Sequence, residues 1–339
     1  MNIRDMPRIR FANLPTPLEE AQNLSRALNG PRIFFKRDDL TGSGLGGNKV
    51  RKLEFIIGRA VEEGHDTLIV CGGYQSNMAR IASALGNKVG LNVELVLGGP
   101  PEDSKVRNGN LLLDYLLGAN ITYVDTVPRW EFGTALEDVS EALRRRGRKP
   151  FIVPLGGSSP EGMAGYVAAT AELVEQLTAM SISPDRLFVA VGSGGTYSGL
   201  ILGAANSSAG YEVVGISVSR DKRYLIDKIP DNINRGADLL GLKSMPGCES
   251  SSIYDDYIGD GYGALTDACK EAIGLVARTE GIFLDPVYSG KCMAGLIDLI
   301  RTGAIAKSET IVFLHTGGWP ALFAYDTDVL PPVTASGCP

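Results

Sequence analysis

The chain has 339 residues, of which 44% are hydrophobic and 21% charged, and its formal net charge is −6. This composition is typical of a packed soluble protein with one large or two ordinary domains. The acidic balance argues against general binding to nucleic acid or anionic membranes. No apolar run approaches the ~20 residues of a membrane span and no signal peptide is evident, so we expect a cytoplasmic protein.

Cysteine and histidine are too scattered to predict a disulfide framework or a zinc site. The five cysteines are odd in number and never stand in a CxxC pattern. The two histidines, His65 and His315, leave little room for a histidine-rich metal centre. His315 follows an apolar run, which favours a buried structural histidine over a catalyst. We therefore expect a reducing compartment and no resident metal.

Short β-branched runs alternate with longer helical patterns along the chain. Strands are predicted at 67–70, 93–97, 151–153, 187–191, 213–218 and 311–314. Helices are predicted at 50–63, 77–88, 109–118, 132–146, 160–180, 263–280 and 291–302. This alternation predicts an α/β fold of parallel sheets covered by helices. Nearly every strand runs into a glycine-rich corner, and ligands of open parallel sheets bind beyond the carboxyl ends of strands, so we expect the site there.

Lys49 stands behind two glycines, in Gly46-Gly47-Asn48-Lys49, at the start of a predicted amphipathic helix. Backbone can approach closely on one side of such a lysine, and a helix N-terminus lies beneath it. This placement makes Lys49 a candidate covalent anchor for an aldehyde rather than a solvated charge. The hypothesis requires a phosphate cradle elsewhere in the chain.

The segment Gly192-Ser193-Gly194-Gly195-Thr196 joins a predicted strand to the start of a helix. Its small residues expose backbone N–H groups at the positive end of that helix, which suits a phosphate monoester. It is not a Walker A loop, because no Gly-Lys-Ser/Thr follows, and Tyr197 replaces the third glycine of the dinucleotide pattern. By itself, a purely structural turn explains the segment equally well.

Gln75-Ser76-Asn77 lies between a strand with its glycine corner and the next predicted helix. Without context, Ser76 or Asn77 is best interpreted as the helix N-cap. The functional alternative places Asn77 on a ring oxygen and Ser76 against a substrate.

Four tyrosines form a third group: Tyr254, Tyr257, Tyr262 and Tyr288. A tyrosine flanked by glycines, like Tyr262, or following a proline corner, like Tyr288, is usually half-buried with a satisfied hydroxyl. In a pocket, the same hydroxyl can orient a carboxylate or move a proton.

Six motifs follow one another in a fixed order along the chain. They are Lys-Arg-Asp-Asp (36–39), Gly-Gly-Asn-Lys-Val-Arg-Lys-Leu-Glu (46–54), Gln-Ser-Asn (75–77), Gly-Ser-Gly-Gly-Thr (192–196), Leu-Asp-Pro-Val-Tyr-Ser-Gly-Lys (284–291) and His-Thr-Gly-Gly (315–318). In this order the chain resembles the 1-aminocyclopropane-1-carboxylate deaminase and D-cysteine desulfhydrase family. That family belongs to the fold type II, or tryptophan synthase β-like, pyridoxal phosphate enzymes. The resemblance runs from about Pro7 to Tyr325.

The resemblance implies a role for each motif. Lys49 would be the Schiff-base lysine, rather than Lys52 or Lys291, and Asn77 would bind the pyridoxal hydroxyl. The 192–196 loop (Gly192, Ser193, Gly194, Gly195 and Thr196) would bind the phosphate. Ser76, Tyr262 and Tyr288 would face the substrate as catalytic residues, and Gln75 and Asn77 would also contact it.

The resemblance also implies the domain organisation and the partners. Two open, twisted parallel-sheet domains are expected, a larger one from 1–51 and 161–339 and a smaller one inserted at 52–160. A homodimer is expected, with a small amino acid as substrate and pyridoxal 5'-phosphate as cofactor.

Ser289 is the best indicator of the reaction. In the family, 1-aminocyclopropane-1-carboxylate deaminases carry a glutamate here, near the pyridine nitrogen. A carboxylate would keep that nitrogen protonated, whereas a hydroxyl such as Ser289 or Thr316 is a weaker, neutral partner. The neutral partner favours β-elimination, with the α-proton taken by the Lys49 amine or by a hydroxyl of the Ser76 and tyrosine group.

The leaving group is less specified by the sequence. We rank D-cysteine first, with hydrogen sulfide, pyruvate and ammonium as products, and L-cysteate second. Tyr74 and Met78, which flank the Gln-Ser-Asn motif, depart from the residues common in desulfhydrases and leave another β-substituted amino acid open. 1-Aminocyclopropane-1-carboxylate deamination and a catalytically silent cofactor-binding protein are the remaining alternatives.

Overall fold

The computed structural model describes residues 3–99, 106–125, 131–207, 209–242, 252–325 and 329. Its strands are β1 (Leu18–Glu20), β2 (Arg32–Lys36), β3 (Thr67–Gly73), β4 (Asn92–Gly98), β5 (Asn120–Val124), β6 (Pro150–Val153), β7 (Arg186–Val191), β8 (Glu212–Ser217), β9 (Ile253–Tyr254) and β10 (Thr310–Leu314). Its helices are α1 (Gln22–Ala27), α2 (Asn48–Glu62), α3 (Asn77–Lys88), α4 (Gly109–Leu116), α5 (Gly133–Arg145), α6 (Pro160–Ala179), α7 (Gly195–Ser207), α8 (Lys222–Leu240), α9 (Asp267–Glu280) and α10 (Ser289–Arg301).

The described strands form two sheets. Six strands run in the order β1-β2-β10-β7-β8-β9, and four run in the order β5-β4-β3-β6. Every pairing is parallel except that of β1 with β2. The prediction of an α/β fold with two parallel sheets is confirmed, and short β1 adds one antiparallel edge.

The larger sheet is buried on both faces, and β2 shows how its sequence achieves this. Phe34 packs into the cluster that contains Leu173 of α6 and Leu202 of α7. Its neighbours Ile33 and Phe35 point to the opposite face, into the cluster formed with α9 and α10. Because side chains alternate along a strand, three consecutive apolar residues serve two cores.

Polar side chains define where several helices begin. Ser76 accepts a hydrogen bond from Ala79 N at the start of α3, and Ser159 accepts one from Gly162 N at the start of α6. The predicted helix at 263–280 begins later, at Asp267, because Thr266 caps it by accepting a bond from Cys269 N. Each cap satisfies an N–H that has no partner within its helix.

A buried ion network fixes α2, the helix that carries Lys49. Arg51 is bidentate to Asp38, with both N–O distances 2.9 Å, and also contacts Glu172 of α6 at 2.8 and 3.0 Å. Burial opposes the charge on Glu172, but Arg51 and Lys36 outweigh it and lower the pKa of that carboxyl to about 2. The network therefore locks the start of α2 against β2 and α6.

The two sheets draw on different parts of the chain. The four-stranded sheet uses only residues between Thr67 and Val153, whereas the described strands before and after that segment build the six-stranded sheet. This segregation accords with an inserted domain at 52–160, although the boundary at 51 and 52 falls inside α2. The boundaries themselves stay a prediction. Within the described ranges, no helix is long and apolar enough to cross a membrane.

Candidate active site

A cavity of about 370 Å³ opens where the carboxyl ends of strands from both sheets meet. It lies beyond β3, β6, β7 and β10, as expected for parallel sheets. Its wall contains most of the residues singled out in the sequence: Lys49, Ser76, Asn77, Gly192, Ser193, Gly194, Gly195, Thr196, Tyr262, Tyr288 and Thr316. The fold thus brings together side chains that lie up to 267 positions apart, from Lys49 to Thr316.

Two predicted site residues lie outside this wall. The Gln75 amide is engaged with α4, because its nitrogen donates to Asn108 and its oxygen accepts from Asn110 N. Ser289 is buried behind the wall. Of the two unusual neighbours of the Gln-Ser-Asn motif, Met78 lines the cavity and Tyr74 does not.

Lys49 occupies the first turn of α2, and its side chain is half-buried. Nζ lies 3.4 Å from the carbonyl oxygen of Gly156. Loss of hydration lowers the pKa of this amine from 10.5 to about 8. A substantial share of the amine is therefore neutral and nucleophilic near physiological pH.

Lys52 lies one turn further along α2 on the same side, as residues three apart do. It is fully buried, and its Nζ donates to Gly156 O at 2.7 Å. Burial, and then the nearby Lys49, lowers its pKa well below 10.5. A methyl group on Gly195 would come within 2.9 Å of Nζ, so this amine reaches the glycine loop. An anion bound at that loop would restore the charge of Lys52.

The glycine loop fits the phosphate of pyridoxal phosphate. It lines the cavity and leads into α7, so the positive end of that helix lies at the cavity. Asn232 also indicates an anion site, because its amide nitrogen is buried without a hydrogen-bond partner among the described residues. That nitrogen lies 3.4 Å from the position of a methyl group on Gly194. A buried donor without a partner, beside a loop that only small residues permit, is suited to an anionic guest.

Ser158 is a further contact of the glycine loop, and it belongs to none of the sequence motifs. Its hydroxyl lies 2.7 Å from the Ser193 hydroxyl and accepts a bond from Gly195 N at 3.1 Å. The loop is therefore held in shape by the corner that follows β6.

Ser76 is both a helix N-cap and a residue of the cavity wall. Its oxygen caps α3, as already described, and it also lines the cavity. Because the cap uses only the oxygen as acceptor, the hydroxyl proton remains available to a substrate.

Tyr262 and Tyr288 form a hydrogen-bonded pair in the wall. Their hydroxyl oxygens are 2.7 Å apart, and their rings meet edge to face at 5.8 Å. Loss of hydration raises the pKa of Tyr262 to about 12, although the bond from Tyr288 partly offsets this. The pKa of Tyr288 is raised well above 10, first by burial and then by Tyr262. Both hydroxyls are protonated at neutral pH, so they act as donors.

Asp285 explains why Ser289 faces away from the cavity. The carboxylate of Asp285 accepts N–H bonds from Val287, Tyr288 and Ser289 at 2.7–2.9 Å. The Ser289 hydroxyl donates to the same carboxylate at 2.6 Å and accepts from Asp285 N at 2.7 Å. Its single proton is thereby used. Thr316, by contrast, is one of the residues that line the cavity.

His315 is buried and has both ring nitrogens engaged. Nδ1 accepts a bond from Gly317 N at 3.2 Å, and Nε2 lies 3.1 Å from Phe283 O. Burial lowers the pKa of the ring, which is therefore neutral with its proton on Nε2. This geometry agrees with the predicted structural role.

The mouth of the cavity carries positive charge from β8 to α8. Arg220, Lys228 and Arg235 line it, and no described wall residue is a carboxylate. Helix α8 is not among the predicted helices, because Pro230 interrupts its pattern. The helical signal was nevertheless present, since Leu225, Ile229, Ile233 and Ala237 recur every four residues and are buried.

Comparison with known proteins agrees with this geometry. The family model for pyridoxal-phosphate dependent enzymes matches residues 9–317. Relatives from Pyrococcus abyssi and Pyrococcus horikoshii, both provisionally named 1-aminocyclopropane-1-carboxylate deaminase, are 39% and 40% identical over 324 residues. Each alignment covers 96% of this chain and 95% of the relative.

Solved structures support the same assignment. A crystal structure described as an ACC deaminase homologue superimposes with a TM-score of 0.89 at 38% identity, covering 96% of both chains. A pyridoxal 5'-phosphate-dependent aspartate racemase, at 17% identity and a TM-score of 0.63, covers 89% of this chain and 90% of its own, and shares the fold. The chain therefore belongs to the pyridoxal-phosphate dependent enzymes of fold type II and, within them, to the 1-aminocyclopropane-1-carboxylate deaminase and D-cysteine desulfhydrase family.

Proposed function

We propose that the protein catalyses β-elimination on a small β-substituted amino acid, with D-cysteine as the first candidate and pyruvate, ammonium and hydrogen sulfide as products. The observation that carries this proposal is the neutral hydroxyl of Thr316 on a described wall without carboxylates. A neutral partner for the pyridine nitrogen suits departure of a good leaving group after loss of an α-proton. Ring opening of a substrate that has no α-proton calls for a stronger electron sink.

The chain's own residues divide the work of holding the cofactor. When bound, pyridoxal phosphate supplies an aldehyde that condenses with an amine and a ring that accepts electrons from the α-carbon. Lys49 would hold the aldehyde, while Lys52, Asn232 and the glycine loop would hold the phosphate. Asn77 and Thr316 would contact the ring.

Proton transfer is assigned to three groups. Lys49 Nζ, with its pKa of about 8, can take and return a proton near neutral pH. The Tyr262 and Tyr288 pair keeps its protons and can orient a substrate carboxylate or protonate a departing group. The Ser76 hydroxyl adds a third donor. It lies at the start of α3, directly after β3 of the four-stranded sheet.

L-Cysteate is the second candidate, and the basic mouth favours it. Arg220, Lys228 and Arg235 offer positive charge in addition to the groups assigned to the phosphate. Asp231 pairs with Lys228 at 3.4 Å and with Arg235 at 3.9 Å, which leaves a net positive charge. The sulfonate of L-cysteate carries a full negative charge, whereas the thiol of D-cysteine is largely neutral. An anionic β-substituent would therefore gain from this surface.

1-Aminocyclopropane-1-carboxylate deamination is an alternative, because both Pyrococcus relatives carry that name. A catalytically silent cofactor-binding protein is the other alternative, although Lys49 and the glycine loop are both intact. By family resemblance, we also propose a cytoplasmic homodimer.

Product analysis with the purified, cofactor-loaded protein tests the proposal. D-cysteine, L-cysteine, L-cysteate, D-serine and 1-aminocyclopropane-1-carboxylate are assayed side by side for pyruvate, 2-oxobutanoate, sulfide and sulfite. We expect pyruvate and sulfide from D-cysteine. Turnover of the cyclopropane substrate alone, with 2-oxobutanoate as product, would show that the argument from Thr316 is wrong.

Two variants test whether Lys49 is the residue that binds the cofactor. Lys49→Ala should lack the visible absorbance of the lysine-bound cofactor and all turnover. Lys88→Ala, on the exposed surface of α3, should retain both. A yellow, active Lys49→Ala protein would contradict the anchor assignment.

A further inference from the structure

The side-chain amide of Asn110 in α4 has a fixed orientation, because one of its hydrogen-bond partners can only donate and another can only accept. Its oxygen accepts from Arg80 Nε at 2.6 Å, and a guanidinium can only donate. Its nitrogen donates to the backbone carbonyl of Gln75 at 2.8 Å, and a carbonyl can only accept. The two ends of the amide therefore cannot be exchanged.

This fixed amide determines the orientation of Asn77. The Asn110 nitrogen also lies 2.9 Å from the side-chain oxygen of Asn77, which must be the acceptor. Arg80 Nη2 donates to the same oxygen at 3.4 Å. With its oxygen held by donors, the Asn77 amide directs its nitrogen to the cavity that this residue lines.

Gly318 leaves room for that nitrogen. Its φ is +99°, in the region that favours glycine, and a methyl group there would come within 2.8 Å of Asn77 Nδ2. The close approach shows that the nitrogen lies against Gly318, next to the Asp285 side chain, whose Cγ would also be 2.8 Å from that methyl group. The two side-chain hydrogen bonds of this amide to described residues both end on its oxygen.

Gln75 secures the helix from which Asn110 reaches Asn77. Its amide oxygen accepts from Asn110 N at 2.8 Å, and its amide nitrogen donates to the Asn108 side chain at 3.1 Å. The first turn of α4 is thereby attached to the Gln-Ser-Asn motif. Gln75 therefore holds α4 in place, although it does not line the cavity.

Arg80 connects the same network to the loop before Lys49. It is 1% exposed and donates to the carbonyl oxygens of Gly44 and Gly46. Burial lowers its pKa to about 10, while the buried Asp114 of α4 supports its charge. One cation thus spans the loop of the anchor lysine and the acceptor side of Asn77.

We propose that Asn110 is a positioning residue: it holds Asn77 so that the amide nitrogen donates to the ring oxygen of pyridoxal phosphate beside the aldehyde carbon. The proposal rests on the cofactor site at Lys49 proposed above. In pyridoxal phosphate the phenolic oxygen is adjacent to the carbon that bears the aldehyde, so a lysine-bound ring places it near the lysine. A donor to this oxygen stabilises its anionic form and lowers the pKa of the neighbouring lysine-bound nitrogen.

Asn110→Asp is the sharpest test, because it keeps the shape and replaces the donor nitrogen by an acceptor. The Asn77 amide then gains by turning its nitrogen toward residue 110, and the ring oxygen loses its donor. We expect about tenfold weaker binding of pyridoxal phosphate. We also expect the pH midpoint of the visible band of the lysine-bound cofactor to rise by about one unit. Both are measured by titrating apoprotein with cofactor and then changing the pH.

Asn110→Ser provides a second variant that introduces no charge if Asn110→Asp does not fold. Asn87→Asp is the matched control, since Asn87 is exposed, joins the same helix pair through Leu117 O at 2.8 Å, and is remote from Asn77. It should leave the binding constant and the pH midpoint unchanged. Its thermal midpoint reports any general loosening of α3 from α4.

The outcomes distinguish this inference from the proposed function. If wild-type protein shows no visible band, the cofactor site at Lys49 is overturned and the inference with it. If wild type shows the band and the folded Asn110 variants match its binding constant and pH midpoint, only the positioning role is overturned. A lower thermal midpoint without a spectral shift would likewise assign Asn110 a merely structural role.

Discussion

The hydroxyl oxygens of Tyr262 and Tyr288 lie 2.7 Å apart in the cavity wall, although the two residues come from separate loops. The pKa of each is raised, so neither hydroxyl is a base at neutral pH. This pair therefore complements Lys49, the only basic amine assigned to the reacting end of the cofactor. Donor and base are supplied by different parts of the fold.

The tyrosine pair should behave as one unit. Tyr262→Phe or Tyr288→Phe should each lower kcat about a hundredfold, because each removes a proton from the chain of donors. The double variant should lose little more, since the remaining hydroxyl has lost its partner. Steady-state rates of the four proteins measure the coupling. Tyr254→Phe, outside the wall, is the control, and fully additive losses would argue against a shared role.

Cofactor capture should depend on pH through Lys49. Because burial lowers the pKa of its amine to about 8, the neutral, reactive form dominates above that pH. The rate at which apoprotein acquires visible absorbance should rise with pH up to about 8 and then level off. A rate that continues to rise to the ordinary lysine pKa of about 10.4 would contradict this. Stopped-flow mixing with pyridoxal phosphate provides the measurement.

Lys52 should affect affinity rather than attachment. Lys52→Met removes the cation beside the glycine loop but leaves Lys49, so the protein should still turn yellow at saturating cofactor. We expect the dissociation constant of pyridoxal phosphate to increase at least about tenfold, as for loss of a charged hydrogen bond. Inorganic phosphate should compete less well with the cofactor in this variant than in wild type. Unchanged phosphate competition would exclude Lys52 from the cradle.

Thr316 and Ser289 should separate activity from stability. Thr316→Val removes the hydroxyl of a cavity-lining residue and should lower kcat while leaving the melting temperature nearly unchanged. Ser289→Ala removes the bond to Asp285, should lower the free energy of unfolding by about 1 kcal/mol, and should preserve the cofactor spectrum. Activity assays and thermal melts on both variants decide between the two hydroxyls. A spectral change only in Ser289→Ala would restore Ser289 as the ring partner.

Arg51 should be the most costly residue of the α2 motif to replace for stability. Arg51→Met leaves Asp38 buried without its cation and leaves half-buried Glu172 with Lys36 alone, so it should lower the free energy of unfolding by about 3–5 kcal/mol. Arg59→Met, on the exposed side of the same helix, should cost less than about 1 kcal/mol. Urea denaturation of the apoproteins measures both. Equal losses would mean that burial of the network contributes nothing.

The stability of this network should also decline in acid. The pKa of Glu172 falls from 4.5 unfolded to about 2 folded, so its contribution is complete above 4.5 and is lost as pH falls toward 2. The apoprotein's urea midpoint, followed between those values, should decrease less steeply in Arg51→Met, where the carboxyl has lost its main partner.

Sequence patterns predicted β3, β7 and β10, whose β-branched runs are buried on both faces. They did not predict β2, which lies inside the six-stranded sheet between β1 and β10, because its apolar run is only Ile33-Phe34-Phe35. They missed β5, an edge strand with exposed polar positions such as Asn120 and Thr122, and α8, in which Pro230 obscures a regular apolar face. The order of the motifs located Lys49 and the glycine loop, both of which depend on local chain geometry.

Other contacts depend on long-range packing that no local pattern records. Asn110 and Asn232 reach the site from helices far along the chain, and Ser289 is withdrawn from it by Asp285. Lys52 was accessible to prediction, because its spacing of three from Lys49 places both amines on one side of α2.

The attachment of α2 through Arg51 separates the supports of the two sides of the cavity. It ties the helix of Lys49 to Asp38 after β2 and to Glu172 of α6, whereas Met78 enters the cavity from α3, behind the four-stranded sheet. A substitution at Met78 therefore changes the lining of the cavity without removing any contact of the Arg51 network.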